Sequence, residues 1–290
     1  IGGVPLAAGL AVVLLYLFFK VPEQFELVAL LCLCSAPAFL SGLIEDLTKR
    51  VSVLLRLVFT MLAAVAAFFL LDGRLVRLDI PGIDTLLTWM PFAVLLTAIA
   101  VGGIANSINI IDGFNGLAGA VSIIMLLALA YVGYKVGDAL VVQGALVMAG
   151  ALFGFFLWNW PGGLIFLGDG GAYLVGFWVA ELGVLLVARN PEVSPWFPLM
   201  VVAYPLVETL FSIYRRRIFK KVSVGLPDAA HLHQIIFKRL VRWVVGSDDA
   251  RHLKMRNSMT SPYLWVISSF CVVPAMLMWQ STFLLQISFG

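Results

Sequence analysis

The sequence predicts an all-α fold: a polytopic transmembrane helical bundle of about nine spans, with its functional site on the cytoplasmic face. Three observations predict it. Of the 290 residues, 62% are hydrophobic and 12% charged, and the mean hydropathy is +1.02; a soluble domain carries about 25% charge. The apolar residues form continuous runs of about 20 residues, the length that crosses a bilayer as a helix. The polar residues that interrupt them gather at one set of helix ends. A water-soluble enzyme of this size could not cover so much apolar surface. The same composition excludes a disulfide scaffold and a disordered chain. A net charge of +3 is too small to suggest nucleic acid as a partner.

The runs fall near residues 4–20, 25–44, 51–71, 89–105, 116–134, 139–158, 164–187, 195–214 and 262–287. Lipid offers no partner to a bare backbone, so each run is expected to be a helix. A transmembrane barrel would instead alternate polar and apolar residues. Lys20 ends the first span, Arg74 and Arg77 follow the third, and Lys135 and Arg189 close the fifth and seventh. The threading puts those five cations on one side. The other fourteen of the nineteen basic residues share the opposite side: Lys49 and Arg50 after the second span, Arg56 nearby, and the rest in the loop 215–261. By the positive-inside rule that side is cytoplasmic.

Within this loop, residues 229–245 place apolar positions 232, 235, 236, 240, 243 and 244 around Lys238, Arg239 and Arg242. That pattern predicts an amphipathic helix at the membrane surface. The cluster Arg215–Lys221 serves topology and contact with anionic headgroups of membrane lipids. No repeat divides the chain, so residues 1–290 read as a single membrane domain. Cys32, Cys34 and Cys271 read as buried thiols, because an i, i+2 pair on a helix does not face itself. Trp158, Trp160, Trp196 and Trp265 read as interfacial belt residues. The chain opens at Ile1 directly into an apolar run, without a basic leader or a cleavage site, which suggests a truncated start.

Four polar groups fall at the cytoplasmic ends. Glu45-Asp46-Leu47-Thr48-Lys49-Arg50 joins two carboxylates to two cations, a mixed-sign cluster able to touch a metal, a phosphate or a proton. Asn106 to Gly119 follows: Asn106 and Asn109 are three apart and share a helix face, Asp112 sits in the turn, and Gly113 and Gly116 allow close backbone approach. Amide and carboxylate oxygens suit a hard cation such as Mg2+; Asn115 can equally cap the next helix. In Phe166-Leu167-Gly168-Asp169-Gly170-Gly171, one carboxylate lies among glycines where a helix opens, a place that favours anionic ligands. His231 and His233 are too few to hold a transition metal and read as donors to phosphate. Glu181, deep in the seventh span, is expected to pair inside the bundle. Three carboxylates, two amides and two imidazoles on one face suit a diphosphate held with Mg2+.

These segments resemble the polyprenyl-phosphate N-acetylhexosamine-1-phosphate transferase family. The likeness is carried by Gly42 to Asp46, Asn106 to Gly119, Phe166 to Gly171 and His231 to His233. The spelling of Glu45 to Arg50 is similar to the bacterial O-antigen and surface-polysaccharide branch. The resemblance implies transfer of a sugar 1-phosphate from a UDP-N-acetylhexosamine to polyprenyl (undecaprenyl) phosphate with release of UMP, in the bacterial inner membrane. It implies that Asn109 and Asp169 bind Mg2+, with Mn2+ as a substitute, and that Asp46, Asp112 and Asp169 form the reaction centre. Glu45, Arg56, Asn106, Asn115, Gly116, His231 and His233 would bind substrate, and a homodimer is a possible assembly. Glu45 stands where the family often has aspartate, and Asn115 replaces an aspartate of some branches. The family also has a further N-terminal helix and a Pro-Arg pair, so a complete protein would have about ten or eleven spans. Two rivals are an ion-coupled transporter, which would place carboxylates at mid-bilayer, and a non-enzymatic scaffold, which would tolerate changes in the second and third groups.

Overall fold

A computed structural model describes residues 1–215, 232–237 and 250–289. Every regular element among them is a helix: α1 (Gly3–Lys20), α2 (Pro22–Thr48), α3 (Val53–Leu70), α4 (Ile83–Leu87), α5 (Met90–Ile111), α6 (Leu117–Val136), α7 (Ala139–Asn159), α8 (Gly168–Arg189), α9 (Trp196–Val201), α10 (Ala203–Arg215), α11 (Leu232–Ile236), α12 (Ala250–Leu277) and α13 (Thr282–Phe289). Among the described residues, eight segments are long and apolar enough to cross a bilayer: α1, α2, α3, α5, α6, α7, α8 and Asn257–Leu277 of α12. The chain is a multi-pass membrane protein.

Two expected spans differ. Residues 195–214 form two helices, α9 and α10, divided at Val202. Pro205 has no N–H to give to the Val201 carbonyl four residues back, and its ring crowds that carbonyl. The run 262–287 is replaced by the crossing Asn257–Leu277, a turn, and the short α13. Of the amphipathic segment 229–245, α11 and Phe237 are described. Residues 216–221 of the basic cluster lie outside the described residues.

Helix α8 is the hub. Of its membrane-crossing window 94% is buried, against 67% or less for the other seven. It packs chiefly against α2 and α5, with α1, α3, α6 and α7 completing the ring. Small residues make this possible, since helices in lipid gain from close van der Waals approach. A Cβ on Gly176 would stand 2.5 Å from Ala105 Cα of α5, and one on Gly42 of α2 would stand 2.6 Å from the Asp169 backbone.

The turns set the two ends. α2 closes on Lys49, in the left-handed region at φ 55, with its N–H on the Glu45 carbonyl at 2.8 Å. Glu45 Oε2 accepts the Val51 N–H at 2.6 Å, and Ser52 Oγ accepts from Leu55 to cap α3. At the opposite end, Arg77 Nη2 donates to the carbonyls of Pro191 and Val193, both at 2.6 Å. Asp138 receives Arg189 at 2.8 Å and Asn190 at 3.0 Å, and Thr282 donates to Asp79 at 2.6 Å. Trp196 is anchored there by an Nε1–H bond to the Leu78 carbonyl. All three cysteines are free. Glu181 corrects an expectation: it is fully buried, and neither carboxylate oxygen has a hydrogen-bond partner among the described residues.

Gly176→Val is expected to lower the stability of the detergent-solubilised protein by about 1–3 kcal/mol, because the Ala105 backbone cannot yield to the added atoms. Gly154→Val, at a position with nothing within 4 Å, is expected to leave thermal unfolding unchanged.

Candidate active site

Four helices bring their ends together around the start of α8. Asp46, in the last turn of α2, accepts two N–H groups of that helix: Asp169 on Oδ1 and Gly170 on Oδ2, each at 3.0 Å. Asp112, in the turn after α5, lies close to the Gly168 N–H. The first amides of a helix lack intrahelical partners and favour negative charge, so both carboxylates are drawn to this point. Gly168 has φ +73, and a Cβ there would stand 2.6 Å from Asp46 Oδ2. No other residue type would let Asp46 close on these amides.

Asp169 points back across the same space. Its Oδ2 pairs with Arg56 Nη1 of α3 at 2.5 Å, and its Oδ1 accepts Asn109 Nδ2 of α5 at 2.6 Å. The Arg56 guanidinium lies 5.5 Å from the centre of the Tyr173 ring, and the Tyr173 hydroxyl donates to Asn106 Oδ1 at 3.0 Å. Asp46, Arg56, Asn106, Asn109, Asp112 and Asp169 thus form one connected cluster. Arg56 is 6% exposed and is its internal cation. Lys49 reaches only to 4.0 Å from Asp46 with a side chain 70% exposed, so solvent screens it. Loss of water, then the charge of Asp169, pushes the Asp112 carboxyl up to about 7; the Gly168 N–H opposes this, and Asp46 adds to it.

Other expected site residues stand apart from the carboxylates. Glu45 closes the turn between α2 and α3. Asn115 does not cap α6. Its N–H donates to Asn257 Oδ1 at 2.8 Å, its Nδ2 to the Pro161 carbonyl at 3.3 Å, and its carbonyl receives Ser261 Oγ at 2.6 Å. Gly116, at φ +76 beneath the Trp160 ring, donates to Asn159 Oδ1 at 2.5 Å and accepts from Trp265 Nε1 at 3.0 Å. Trp160 and Trp265 therefore belong to this clasp, together with Phe156, rather than to a lipid-facing belt. His231 lies outside the described residues, as does the His233 side chain. The Phe114 and Phe237 rings meet at 5.3 Å, which sets the end of α11 beside the Asp112 turn.

Sequence reasoning missed Tyr173 and Asn159. Tyr173 lies one turn beyond Asp169, the i, i+4 spacing that shares a helix face, and that signal was available. Asn159 Nδ2 donates to the Ile165 carbonyl at 2.7 Å, so its amide ties the Gly116 turn to the loop before α8.

Among the described residues, no three of His, Cys, Asp and Glu converge closely enough to enclose a metal alone. The donors that are present are oxygens of Asp169, Asp112 and Asn109, whose Oδ1 is left over when Nδ2 serves Asp169. Hard cations take such donors and complete their shell from water or ligand. Three carboxylates around one buried cation leave an excess of negative charge, which a divalent ion would offset.

The family model described as glycosyl transferase family 4 matches residues 28–187. A probable undecaprenyl-phosphate N-acetylglucosaminyl 1-phosphate transferase of Bacillus subtilis is 33% identical over 148 residues, 51% of this chain and 40% of that protein. An undecaprenyl-phosphate alpha-N-acetylglucosaminyl 1-phosphate transferase of Thermotoga maritima is 26% identical over 240 residues, 83% of this chain and 70% of its own length. A phospho-N-acetylmuramoyl-pentapeptide-transferase of Clostridium botulinum is 31% identical over 154 residues, 53% of this chain and 46% of that protein. The chain thus spans less than half the length of two of these three relatives. The family match takes in more than half of the 290 residues and every member of the carboxylate cluster from Asp46 to Tyr173, and on that ground the chain belongs to glycosyl transferase family 4.

Proposed function

We propose that this chain is a phosphoglycosyltransferase that moves an N-acetylhexosamine 1-phosphate from a UDP-sugar to undecaprenyl phosphate and releases UMP. Its site faces the cytoplasm from the bacterial inner membrane, and its product starts a lipid-linked surface polysaccharide such as O-antigen. One observation carries this reading: the start of α8 gathers Asp46, Asp112, Asp169, Asn109 and Arg56 from separate elements at one end of the bundle. Phosphoryl transfer asks for positioning and charge neutralisation rather than covalent help. The activities named for the relatives supply the acceptor and the sugar 1-phosphate. A transporter would need its carboxylates at mid-depth, and these three share one end.

In the proposed reaction an oxygen of the lipid phosphate attacks the phosphorus that bears the sugar. The P–O bond to UMP breaks, and UMP leaves with the bonding electrons. Asp169 and the Asn109 amide oxygen would hold Mg2+, which supplies charge neutralisation to the diphosphate. Arg56 adds a fixed positive charge on the same side. Asp46 is committed through both oxygens to the α8 amides and keeps that helix start in place. Asp112, close to the Gly168 N–H, would orient the lipid phosphate. Histidines 231 and 233 would reach the diphosphate or sugar from the loop.

Purified protein given UDP-GlcNAc, undecaprenyl phosphate and Mg2+ is expected to release UMP. No release with any UDP-N-acetylhexosamine would overturn the proposal. Asp169→Asn is expected to lower kcat by about 10²–10³-fold, as loss of one charge-stabilising group does. Mg2+ at about 100 times its Kd is expected to stabilise the wild type by about 2.7 kcal/mol, read as a shift in thermal unfolding that Asp169→Asn does not show. Single cysteines at Lys49 and Arg74, both well exposed, are expected to react with an impermeant thiol reagent from opposite faces, Lys49→Cys in inside-out vesicles and Arg74→Cys in spheroplasts. Labelling of both from the same face would contradict the threading.

A further inference from the structure

The Tyr173 side chain is completely buried in α8, a position where an aliphatic residue would serve packing alone. Its two chemical features are both spent on the site. The ring lies beside the Arg56 guanidinium, 5.5 Å from centre to centre, and the hydroxyl donates to Asn106 Oδ1 at 3.0 Å. A guanidinium at 6% exposure has little water to stabilise it. Its stabilising partners are the Asp169 carboxylate on one side and the π face of Tyr173 on the other. If Asp169 turns to a metal, the ring is what keeps the cation in place.

We propose that Tyr173 is a positioning residue: its ring holds the Arg56 guanidinium against the carboxylate cluster, where it meets the diphosphate of the donor. This rests on the phosphoryl-transfer reading given above. Arg56 carries the charge that ligand phosphate meets, and Tyr173 acts through it.

A double-mutant cycle tests the assignment, with UMP release as the readout and donor KM separated from kcat. Tyr173→Met keeps bulk and removes the π face; it is expected to raise the KM for UDP-GlcNAc about tenfold, the size of one desolvated cation–π contact, with kcat changed less. Arg56→Gln is expected to raise the same KM, because the cation is lost while a polar side chain is kept. Tyr173→Met in the Arg56→Gln background is expected to add less than about twofold. A purely structural tyrosine would lower activity equally in both backgrounds, and that additive result overturns the proposal. Tyr173→Phe keeps the ring and is expected to hold the donor KM within about twofold of wild type. It also decides the matter where Tyr173→Met yields no folded protein, because a rise as large as that of Arg56→Gln would overturn the ring contact. Wild-type protein that releases no UMP would instead remove the underlying reading.

Discussion

The structure depends on how a helix can begin inside a membrane protein. α8 is enclosed on every side and its first amides have no intrahelical partners. In a low-dielectric interior an unpaired N–H is costly. Here the N–H groups of Asp169 and Gly170 go to Asp46 of α2, and Asp112, from the turn after α5, lies close to that of Gly168. The same contacts that allow the central helix to start also fix two of the three carboxylates, and the third is the second residue of that helix. Folding and site assembly are therefore one event. The glycines follow from it, because Gly42 and Gly168 are where α2 and its aspartate come down onto the α8 backbone.

Bringing three acids together opposes stability, and the surrounding contacts offset that. Arg56 is buried against Asp169 and held from behind by Tyr173. Asn159 and Asn115 join the Asp112 turn to the loop that leads into α8, and Ser258, Ser261 and Trp265 extend the joint into α12. The two turns that carry Asp112 and Asp169 therefore cannot separate to relieve their repulsion. The Asp112 carboxyl, raised first by loss of water and then by the charge of Asp169, reflects that crowding.

Much of this was legible in the sequence for a simple reason. Charged groups are costly at membrane depth, so Asp46, Asp112 and Asp169, at the ends of apolar runs, stand out without any structure. The long runs themselves are read by length and hydropathy. What stayed hidden depends on direction rather than on polarity. Glu45 and Asp46 are neighbours of nearly equal chemistry, yet one faces the turn before α3 and the other faces α8. Asn115 has the right type and place for a ligand or a cap, and its role as a clasp follows only from where Pro161, Asn257 and Ser261 arrive. Tyr173 is a single aromatic residue within a long apolar run and disappears into it. The break at Val202 follows from Pro205, a local signal that hydropathy averaging erases. The early start of the last crossing was obscured because Asn257, Ser258 and Ser261 look like loop until their partners are known.

The charge balance bears on the proposed chemistry as well. Asp46, Asp112 and Asp169 face Arg56 as the one buried cation among the described residues of the cluster. A UDP-sugar diphosphate and a lipid phosphate are both anions, and neither would enter such a field unaided, since like charges at these distances repel most strongly where water is scarce. On the proposed reading the site would take a cation before it takes a ligand. Asp169 would pass from Arg56 to the metal, and Arg56, retained on the Tyr173 ring, would become available to phosphate. One exchange of partners would convert a cluster that excludes anions into one that gathers two of them.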